Sequence, residues 1–169
     1  MDKSAEYKLI LGQNWQQLDE VDSTNAWAKR KLVQGTVLNG YVFQAKFQSE
    51  GRGQQQKEWK SEKGQNALFS LVKNVSGIDL RHLASLNFAV SLACLEALQD
   101  YLPSAHLKIK WPNDIYHHDK KLAGILIENM IGGDHRYSII GVGVNVNQDH
   151  FSKDLHHAVS LKTLNSMIM

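Results

Sequence analysis

The sequence predicts a single domain that combines several β-strands with α-helices, and three observations support this. Short apolar or alternating runs at Gly40 to Lys46 and Asn66 to Lys73 are typical of strands. From about Leu80 to Tyr101, apolar residues recur at spacings of three and four, which predicts a long helix with one buried face. The positions on that face are Leu83, Leu86, Val90, Ala93, Cys94, Ala97, Leu98 and Tyr101. The polar break His117 to Lys120 lies between two alternating runs. This pattern predicts a β-hairpin with its turn near Asp119.

Composition limits the class of protein. With 169 residues and 43% hydrophobic content, the chain fits one domain with a substantial core. Nineteen basic and seventeen acidic residues give a net charge of +2. This balance disfavours nucleic acid or an anionic membrane as the principal partner. We therefore expect neither DNA nor membrane binding, and any anion site must be local.

Cysteine content and hydropathy predict a cytoplasmic protein. Cys94 is the only cysteine, which excludes an internal disulfide and a cysteine-based zinc site and suits a reducing compartment. It falls on the apolar face of the long helix, so we interpret it as a packing residue rather than a nucleophile. No apolar run approaches the roughly 18 residues that span a bilayer, and the charged start Met1 to Lys3 precedes no signal-type apolar core.

A corner follows the strand predicted over His106 to Lys110. Pro112 removes a backbone donor where a ladder would need one, so the strand ends there. Asn113 and Asp114 then lie at the corner. The run Lys121 to Ile127 is the return strand of the hairpin.

Lys121 opens that return strand, and Ala123 and Gly124 leave room beside it. A lysine in this position can direct its ammonium into a cleft where a carboxylate or phosphate oxygen meets it. The alternative is that Lys120 and Lys121 solubilise a hairpin tip, as charged pairs at turns usually do.

The segment Asp22 to Asn25 precedes a short helix predicted by the apolar residues Ala26, Trp27, Ala28 and Leu32. Ser23 or Asp22 is a suitable N-cap, with a side-chain oxygen that accepts a backbone N–H of the first turn. Two hydroxyls and an amide at a helix N-terminus also offer several directed hydrogen bonds to a small polar ligand. The capping and the ligand-binding interpretations are compatible.

The segment Gln48 to Trp59 has the apolar spacing of neither a helix nor a strand. Gly51 and Gly53 flank Arg52, so the loop can lay backbone N–H groups and one guanidinium along an anionic ligand. The loop lacks the lysine-hydroxyl ending of a Walker loop, and a mobile polar surface loop is the alternative.

Further short elements are predicted towards both ends of the chain. Tyr7 to Leu11 and Trp15 to Leu18 are candidate strands, Gly132 to Asp134 is a turn, and Leu155 to Met169 is a candidate helix. Tyr137 to Asn147 is a strand whose glycines at positions 141 and 143 leave one face bare. A flat ligand or a neighbouring backbone can lie close to such a face.

The eight histidines do not indicate a metal site. No carboxylate-supported pair falls at helical ligand spacing, and the adjacent His117 and His118 diverge on a strand. His150, His156 and His157 lie in an irregular tail. We therefore expect no metal site built from these side chains.

Taken in order, five motifs resemble the catalytic domain of biotin protein ligases, also called biotin–[acetyl-CoA-carboxylase] ligases, in the biotin/lipoate ligase superfamily. The match runs from about Leu18 to Asn147, and the pairing of Lys-Trp-Pro-Asn-Asp with Lys-Leu-Ala-Gly is highly specific. The motifs are Ser23-Thr24-Asn25, Gln48 with Gly51-Arg52-Gly53 and Trp59, Lys110 to Asp114, Lys121 to Leu126, and Gly141 to Asn145.

The resemblance implies an α+β fold with a mixed, largely antiparallel sheet packed by helices, as in class II aminoacyl-tRNA synthetases. It implies a ligase that forms biotinyl-AMP from biotin and ATP with Mg²⁺. The acyl group then passes to a lysine of the biotin carboxyl carrier protein of acetyl-CoA carboxylase. A homodimer is compatible with it.

The resemblance also assigns residues. It implies that Lys121 and Arg52 are catalytic, with Lys121 bridging the biotin carboxylate and the α-phosphate. The implied biotin-binding residues are Ser23, Thr24, Asn25, Gln48, Gly51, Arg52, Gly53, Gln54, Lys121, Gly124 and Gly143. The implied nucleotide-binding residues are Arg52, Trp59, Asn113, Asp114, Lys121 and Asn145.

This chain departs from the family pattern after the first Gly-Arg-Gly. Many relatives carry further arginines there, whereas this chain has Gln54 to Lys57, which lowers the positive charge over the adenylate. Only 22 residues precede Ser23, and the chain ends at Met169. We therefore expect residues 1–169 to form one catalytic domain without an N-terminal DNA-binding domain and without the small C-terminal barrel domain of most relatives.

Two other functions compete with biotin ligation. A lipoate or octanoate ligase or transferase shares the implied fold and a comparable lysine. A non-catalytic biotin-binding module is the other alternative, because the loop is depleted in charge.

Overall fold

The computed structural model describes residues 11–102, 106–132 and 135–168. Its strands are β1 (Trp15–Leu18), β2 (Val42–Ala45), β3 (Ala67–Asn74), β4 (Leu107–Lys110), β5 (Asp114–His117), β6 (Lys120–Gly132) and β7 (His135–Val144). The helices are α1 (Thr24–Val33), α2 (Ser85–Tyr101) and α3 (Leu161–Ile168), and 3₁₀ turns cover Gln54–Gln56, Leu80–His82 and Lys153–Leu155. Among the described helices, none is long and apolar enough to cross a membrane.

Within the described residues the strands form one seven-stranded sheet in the order β1-β2-β3-β7-β6-β5-β4. Strands β1 and β2 are parallel, and every other neighbouring pair is antiparallel. The long β6–β7 hairpin sets Gly124 opposite Gly143, and β3 sets Ser70 opposite Gly141. Three glycine positions and a serine therefore lie together near the centre of an α+β fold, which is the fold class that the resemblance implied.

Alternation along β7 separates two cores. Ile140 belongs to a cluster with Leu98 of α2 and Leu164 of α3, whereas Ile139 packs in a second cluster with Ala28 of α1. Neighbouring strand residues face opposite sides of a sheet. Helices α2 and α3 therefore cover one face and α1 the other, and the glycines at positions 141 and 143 lie on the α1 face.

The long helix is shorter and less buried than its sequence pattern predicts. It begins at Ser85, after a 3₁₀ turn over Leu80–His82 in which the Asp79 side chain accepts the Arg81 backbone N–H. The helix carries apolar residues on all its sides, but only one side of it packs against the sheet. Three side chains that were predicted to be buried are exposed: Ala93, Ala97 and Tyr101. Phe88 and Leu92 are exposed as well.

The remaining predicted apolar positions of this helix are at least partly buried. Leu83 and Leu98 are buried, and Leu86, Val90 and Cys94 pack partly buried around the main core. Burial raises the pKa of the Cys94 thiol to about 11, which leaves it protonated at neutral pH. The packing interpretation of Cys94 agrees with this environment.

The turn near Asp119 is confirmed, but the predicted strand pairing was wrong. Asp114–His117 forms an additional strand, so β5 rather than β4 pairs with β6 across the turn. The chain reverses direction at the corner after Pro112, and β5 begins there and pairs with β4. Four residues, of which Ile115 is buried, then suffice for a strand that pairs with a neighbour on each side.

The other predicted elements differ mainly at their ends. The strands predicted near residues 15, 42, 67 and 137 are present, and the C-terminal helix begins at Leu161 rather than Leu155. The segment Gln48 to Trp59, called the glycine loop below, was predicted to be irregular and contains the 3₁₀ turn Gln54–Gln56 and a bridge between Arg52 and Glu58. The candidate strand Tyr7 to Leu11 and the turn at residues 133–134 lie almost wholly outside the described residues.

Candidate functional site

A cleft open to solvent lies on the α1 face of the sheet. The start of α1, the glycine loop, and strands β5, β6 and β7 form its walls. Its lining residues are Ser23, Thr24, Asn25, Gln48, Arg52, Gly53, Gln54, Trp59, Asn113, Asp114, Lys121, Gly124, Ile125, Leu126, Gly141, Val142 and Gly143. Of the fifteen residues assigned from the resemblance, all except Gly51 and Asn145 therefore line one cleft.

Ser23 occupies the N-cap position of α1 with an extended backbone, but its side chain makes no capping hydrogen bond. The capping role predicted for its hydroxyl is therefore wrong, and Ser23 instead lines the cleft, nearly buried at 3% exposure. Asp22 is not a cap either. Its carboxylate accepts two hydrogen bonds from Arg30, both 2.7 Å long, and this pairing lowers the Asp22 pKa to about 2.

Polar side chains from four elements meet beside the N-terminus of α1. The Thr24 backbone N–H donates to Gln48 Oε1 at 2.7 Å, and the Thr24 hydroxyl lies 3.0 Å from the same oxygen. The buried Ser70 hydroxyl contacts both Thr24 Oγ1 and Asn25 Oδ1. Asn25 in turn donates to Glu128 Oε2 at 2.7 Å. Buried polar groups hold their orientation when each finds a partner, so this group is rigid.

The glycine face of β6 and β7 is covered by two side chains. A Cβ at Gly143 would lie 2.6 Å from the Trp59 ring, and a Cβ at Gly124 would lie 2.9 Å from it. A Cβ at Gly141 would lie 2.4 Å from Asn25 Oδ1. The atoms that come close to this bare face therefore belong to the side chains of Trp59 and Asn25 and not to a neighbouring backbone, and these two side chains form the inner wall of the cleft.

Lys121 and Asp114 form the charged part of the cleft. The Lys121 ammonium lies 2.8 Å from Asp114 Oδ1 and 5.5 Å from the centre of the Trp59 ring. The Lys121 backbone is held by the His157 carbonyl, which accepts its N–H, and by Val159, which donates to its carbonyl. This anchoring fixes the direction of a flexible side chain, which is what a cation that meets a ligand oxygen requires.

The glycine loop lies over the cleft in a folded conformation. Gly51 packs so tightly that a Cβ there would lie 2.3 Å from the Trp59 carbonyl oxygen, and the Trp59 N–H donates to the Gly51 carbonyl. Gly51 thus shapes the loop and does not line the cleft. Arg52 lies 3.6 Å from Glu128 Oε1, a pair that links the loop to β6.

Two assigned residues have structural contacts that the sequence did not predict. Asn113 is buried and donates to the Ile125 carbonyl at 2.6 Å, which ties the corner to β6. Asn145 donates to the Val159 carbonyl at 3.1 Å and lines a second hollow beside the main cleft. That hollow is also lined by Trp59 and Lys121, so it adjoins the main cleft.

Ser70 and Glu128 belong to the site and were missed at the sequence level. Ser70 interrupts an apolar strand, and Glu128 ends the apolar run of β6. A polar residue within a predicted buried strand is a usable signal, because such a residue needs a buried partner. The partner itself, Asn25, lies 45 and 103 residues away along the chain, so spacing does not predict it.

The fold and this cleft define a class of protein: an α+β domain with a cleft lined by hydrogen-bonding groups and a lysine ammonium. Comparison with known proteins agrees. The family model described as biotin/lipoate A/B protein ligase matches residues 18–145. The chain belongs to the biotin/lipoate A/B protein ligase family.

Relatives within this family carry biotin-specific names. A biotin–[acetyl-CoA-carboxylase] ligase of Mycobacterium tuberculosis is 32% identical over 87% of this chain and 56% of its own length. A ligase of the same name from Paracoccus denitrificans is 39% identical over 76% of this chain and 53% of its own length. The chain thus spans about half the length of the curated relatives it matches.

Solved structures show the same architecture. A biotin protein ligase from Aquifex aeolicus in complex with biotin and ATP superposes with a TM-score of 0.75 at 30% identity, over 91% of this chain and 62% of that one. A biotin protein ligase from Leishmania major in complex with biotinyl-5-AMP gives a TM-score of 0.77 at 27% identity, over 92% of this chain and 66% of that one. The predicted fold class and family resemblance are therefore confirmed.

Proposed function

We propose that this chain is the catalytic part of a biotin–[acetyl-CoA-carboxylase] ligase, which joins biotin to AMP and passes the biotinyl group to a lysine of the biotin carboxyl carrier protein. The observation that carries the proposal is the Lys121 ammonium, directed into a cleft that Thr24 and Gln48 also line. The solved relatives in complex with biotin and ATP or with biotinyl-5-AMP support this choice of ligands.

In this proposal the first step joins two anions. The carboxylate of biotin attacks the α-phosphorus of ATP and releases diphosphate, so negative charges approach each other. Lys121 lies between them, where its ammonium offsets the repulsion and stabilises the charge that develops on the phosphate oxygens. Arg52 contributes a second cation from the loop above the cleft. No protein nucleophile is needed for either step.

Three groups orient the ligands. Thr24 and Gln48 bind the ring of biotin, and Trp59 forms a flat wall between the main cleft and the hollow lined by Asn145. The glycine loop excludes water from the acyl adenylate, which would otherwise hydrolyse. A lysine of the carrier protein then attacks the acyl carbon and releases AMP.

In this proposal Mg²⁺ binds together with ATP and is not held by protein side chains alone. Within the described residues, no group of three His, Cys, Asp or Glu side chains is arranged to hold a metal alone. Mg²⁺ is usually held by one or two carboxylates together with substrate phosphates. Asp114, which lines the cleft, is the carboxylate that would hold it, and the ion would neutralise phosphate charge.

The decisive experiment is biotin-dependent exchange of pyrophosphate into ATP. Exchange with biotin is expected, with lipoate and octanoate supporting much less. Exchange that prefers lipoate would assign the chain to the other branch of the family. Biotin binding without any exchange would identify a non-catalytic binding module. The structure gives a reason to test this alternative, because Arg52 and Lys121 are each paired with a carboxylate.

A further inference from the structure

Four side-chain oxygens form a continuous row at the N-terminus of α1. Gln48 Oε1 lies 3.0 Å from Thr24 Oγ1, which lies 2.7 Å from Ser70 Oγ, which lies 2.6 Å from Asn25 Oδ1. The two amide oxygens can only accept hydrogen bonds, and each hydroxyl carries one hydrogen. Three contacts therefore share two protons, so one contact holds none.

The direction of donation is set at the Asn25 end of the row. The Asn25 amide nitrogen donates to Glu128 Oε2 at 2.7 Å and lies 3.3 Å from the Leu126 carbonyl. The amide oxygen of Asn25 must then face Ser70. Ser70 therefore donates its only proton to Asn25, and it can only accept from Thr24.

The Thr24 hydroxyl has one proton and two acceptors within reach, Ser70 Oγ and Gln48 Oε1. The contact with Ser70 is the shorter, at 2.7 Å against 3.0 Å, and Gln48 Oε1 already accepts the Thr24 backbone N–H at 2.7 Å. We therefore place the Thr24 proton on the Ser70 side, so the contact between Thr24 Oγ1 and Gln48 Oε1 contains no proton. Both oxygens keep lone pairs and both residues line the cleft. Thr24 is only 4% exposed, and two oxygens in contact without a proton between them are unfavourable in such a place. A ligand N–H would supply the missing donor.

We propose that Ser70 is a positioning residue that turns the Thr24 hydroxyl proton away from the cleft, so that Thr24 Oγ1 and Gln48 Oε1 form an acceptor pair that selects ligands with N–H donors. The proposal deepens the proposed function and rests on it, because the cyclic urea of biotin carries two such N–H groups. The dithiolane of lipoate carries none. Ser70 thereby favours a urea over an apolar ring without touching the ligand.

A matched control exists on the neighbouring strand. Ser138 is also fully buried, and its hydroxyl donates to Asn129 Oδ1 at 2.6 Å, as Ser70 does to Asn25. Ser138 does not line the cleft. Ser70→Ala and Ser138→Ala therefore remove comparable buried hydrogen bonds, and only the first releases the Thr24 proton.

The experiment measures calorimetric dissociation constants of the parent protein and both variants for biotin and for biotin methylated on its ring nitrogens. Freed from Ser70, Thr24 can donate to Gln48, so Ser70→Ala should bind biotin about tenfold more weakly. The methylated ligand should lose little further affinity. The ratio of the two constants should thus fall about tenfold in Ser70→Ala and stay at the parent value in Ser138→Ala. The steric cost of the methyl groups is common to all three proteins and cancels.

An unchanged ratio in folded Ser70→Ala would overturn the assignment of Ser70, as would an equal fall in Ser138→Ala. Should Ser70→Ala not fold, Thr24→Val removes the oriented hydroxyl directly and is expected to lower the ratio similarly. An unchanged ratio in that variant would also overturn the proposal. Parent protein that binds no biotin would instead refute the proposed function, so the two failures are distinguishable.

Discussion

The Lys121 ammonium is paired with the Asp114 carboxylate at 2.8 Å, on the same strand pair that carries the exposed Lys120. A carboxylate or phosphate ligand must share this ammonium with Asp114, so the lysine is held in place before any ligand arrives. Lys121→Ala removes that cation and leaves Asp114 facing the phosphates. We expect adenylate formation to fall by at least about 10²-fold, with a smaller effect on biotin binding.

Lys120→Ala is the control for that prediction. Its side chain is exposed, and neighbouring strand residues point to opposite faces. Biotin-dependent pyrophosphate exchange should be nearly unchanged. Exchange at the parent rate in Lys121→Ala would remove Lys121 from the proposed mechanism.

Ligand binding should protect the glycine loop. Arg52 and Lys57 are exposed and offer trypsin sites within Gln48 to Trp59, while loop closure over an adenylate buries such sites. Biotin with ATP should therefore slow cleavage at these two residues, and cleavage at the exposed Lys153 should keep its rate. Mass spectrometry of the fragments gives both rates, and equal loop cleavage with and without ligand contradicts the prediction.

An added cation in the loop should retain the adenylate for longer. Arg52 and Lys121 each face a carboxylate, so the charges around the cleft largely cancel. Gln54→Arg places a guanidinium on the cleft wall and should slow release of biotinyl-AMP about tenfold, because hydrogen bonds to charged groups are the stronger ones. Stopped-flow measurement of release tests this.

The adjacent Gln55→Arg adds the same charge to an exposed side chain. It should change the release rate far less, because solvent screens an exposed charge. Equal slowing in both variants would mean that overall charge, and not the cleft wall, governs retention.

The glycine face should not tolerate a methyl group. Gly143→Ala places a Cβ 2.6 Å from the Trp59 ring, so the ring must move. We expect biotin affinity to fall at least tenfold, together with a change in tryptophan fluorescence. Gly77→Ala, where a Cβ would meet no atom within 4 Å, should leave both signals unchanged. Parent affinity in Gly143→Ala would show that the position of Trp59 does not shape the cleft.

The Asp22–Arg30 pair should make stability depend on pH in the acid range. The Asp22 pKa lies at about 2, below its ordinary value of 3.8, so its stabilisation is complete above about pH 4 and is lost as pH falls through 2. Both side chains are partly exposed, and screening reduces the contribution to about 1 kcal/mol. Asp22→Asn should lower the free energy of unfolding by that amount at pH 7.

Urea titrations at pH 7 and at pH 2 test this dependence. The difference between parent and Asp22→Asn should shrink towards zero as the pH falls to 2, where Asp22 is about half protonated. A difference that is the same at both pH values would show that the pair does not stabilise the fold through the carboxylate charge.

Local patterns in the sequence determined the elements and several cleft residues. Alternation and helical spacing depend on neighbouring residues, so strands β2, β3 and β7 and most of α2 follow from them. The bare face of the glycines at positions 141 and 143 and the placement of Lys121 beside Gly124 are equally local. These features were predicted correctly because each depends on a few consecutive residues.

Only the tertiary structure decided which side chains meet. Strand β5 depends on having a neighbour on each side, and the exposed stripe of α2 depends on which face the sheet covers. The row from Gln48 to Asn25 joins α1, the glycine loop and β3, and its direction is set by Glu128, which lies 103 residues from Asn25. Hydrogen-bond direction requires every donor and acceptor in a buried group to be placed at once, and a linear pattern of residue types does not contain that information.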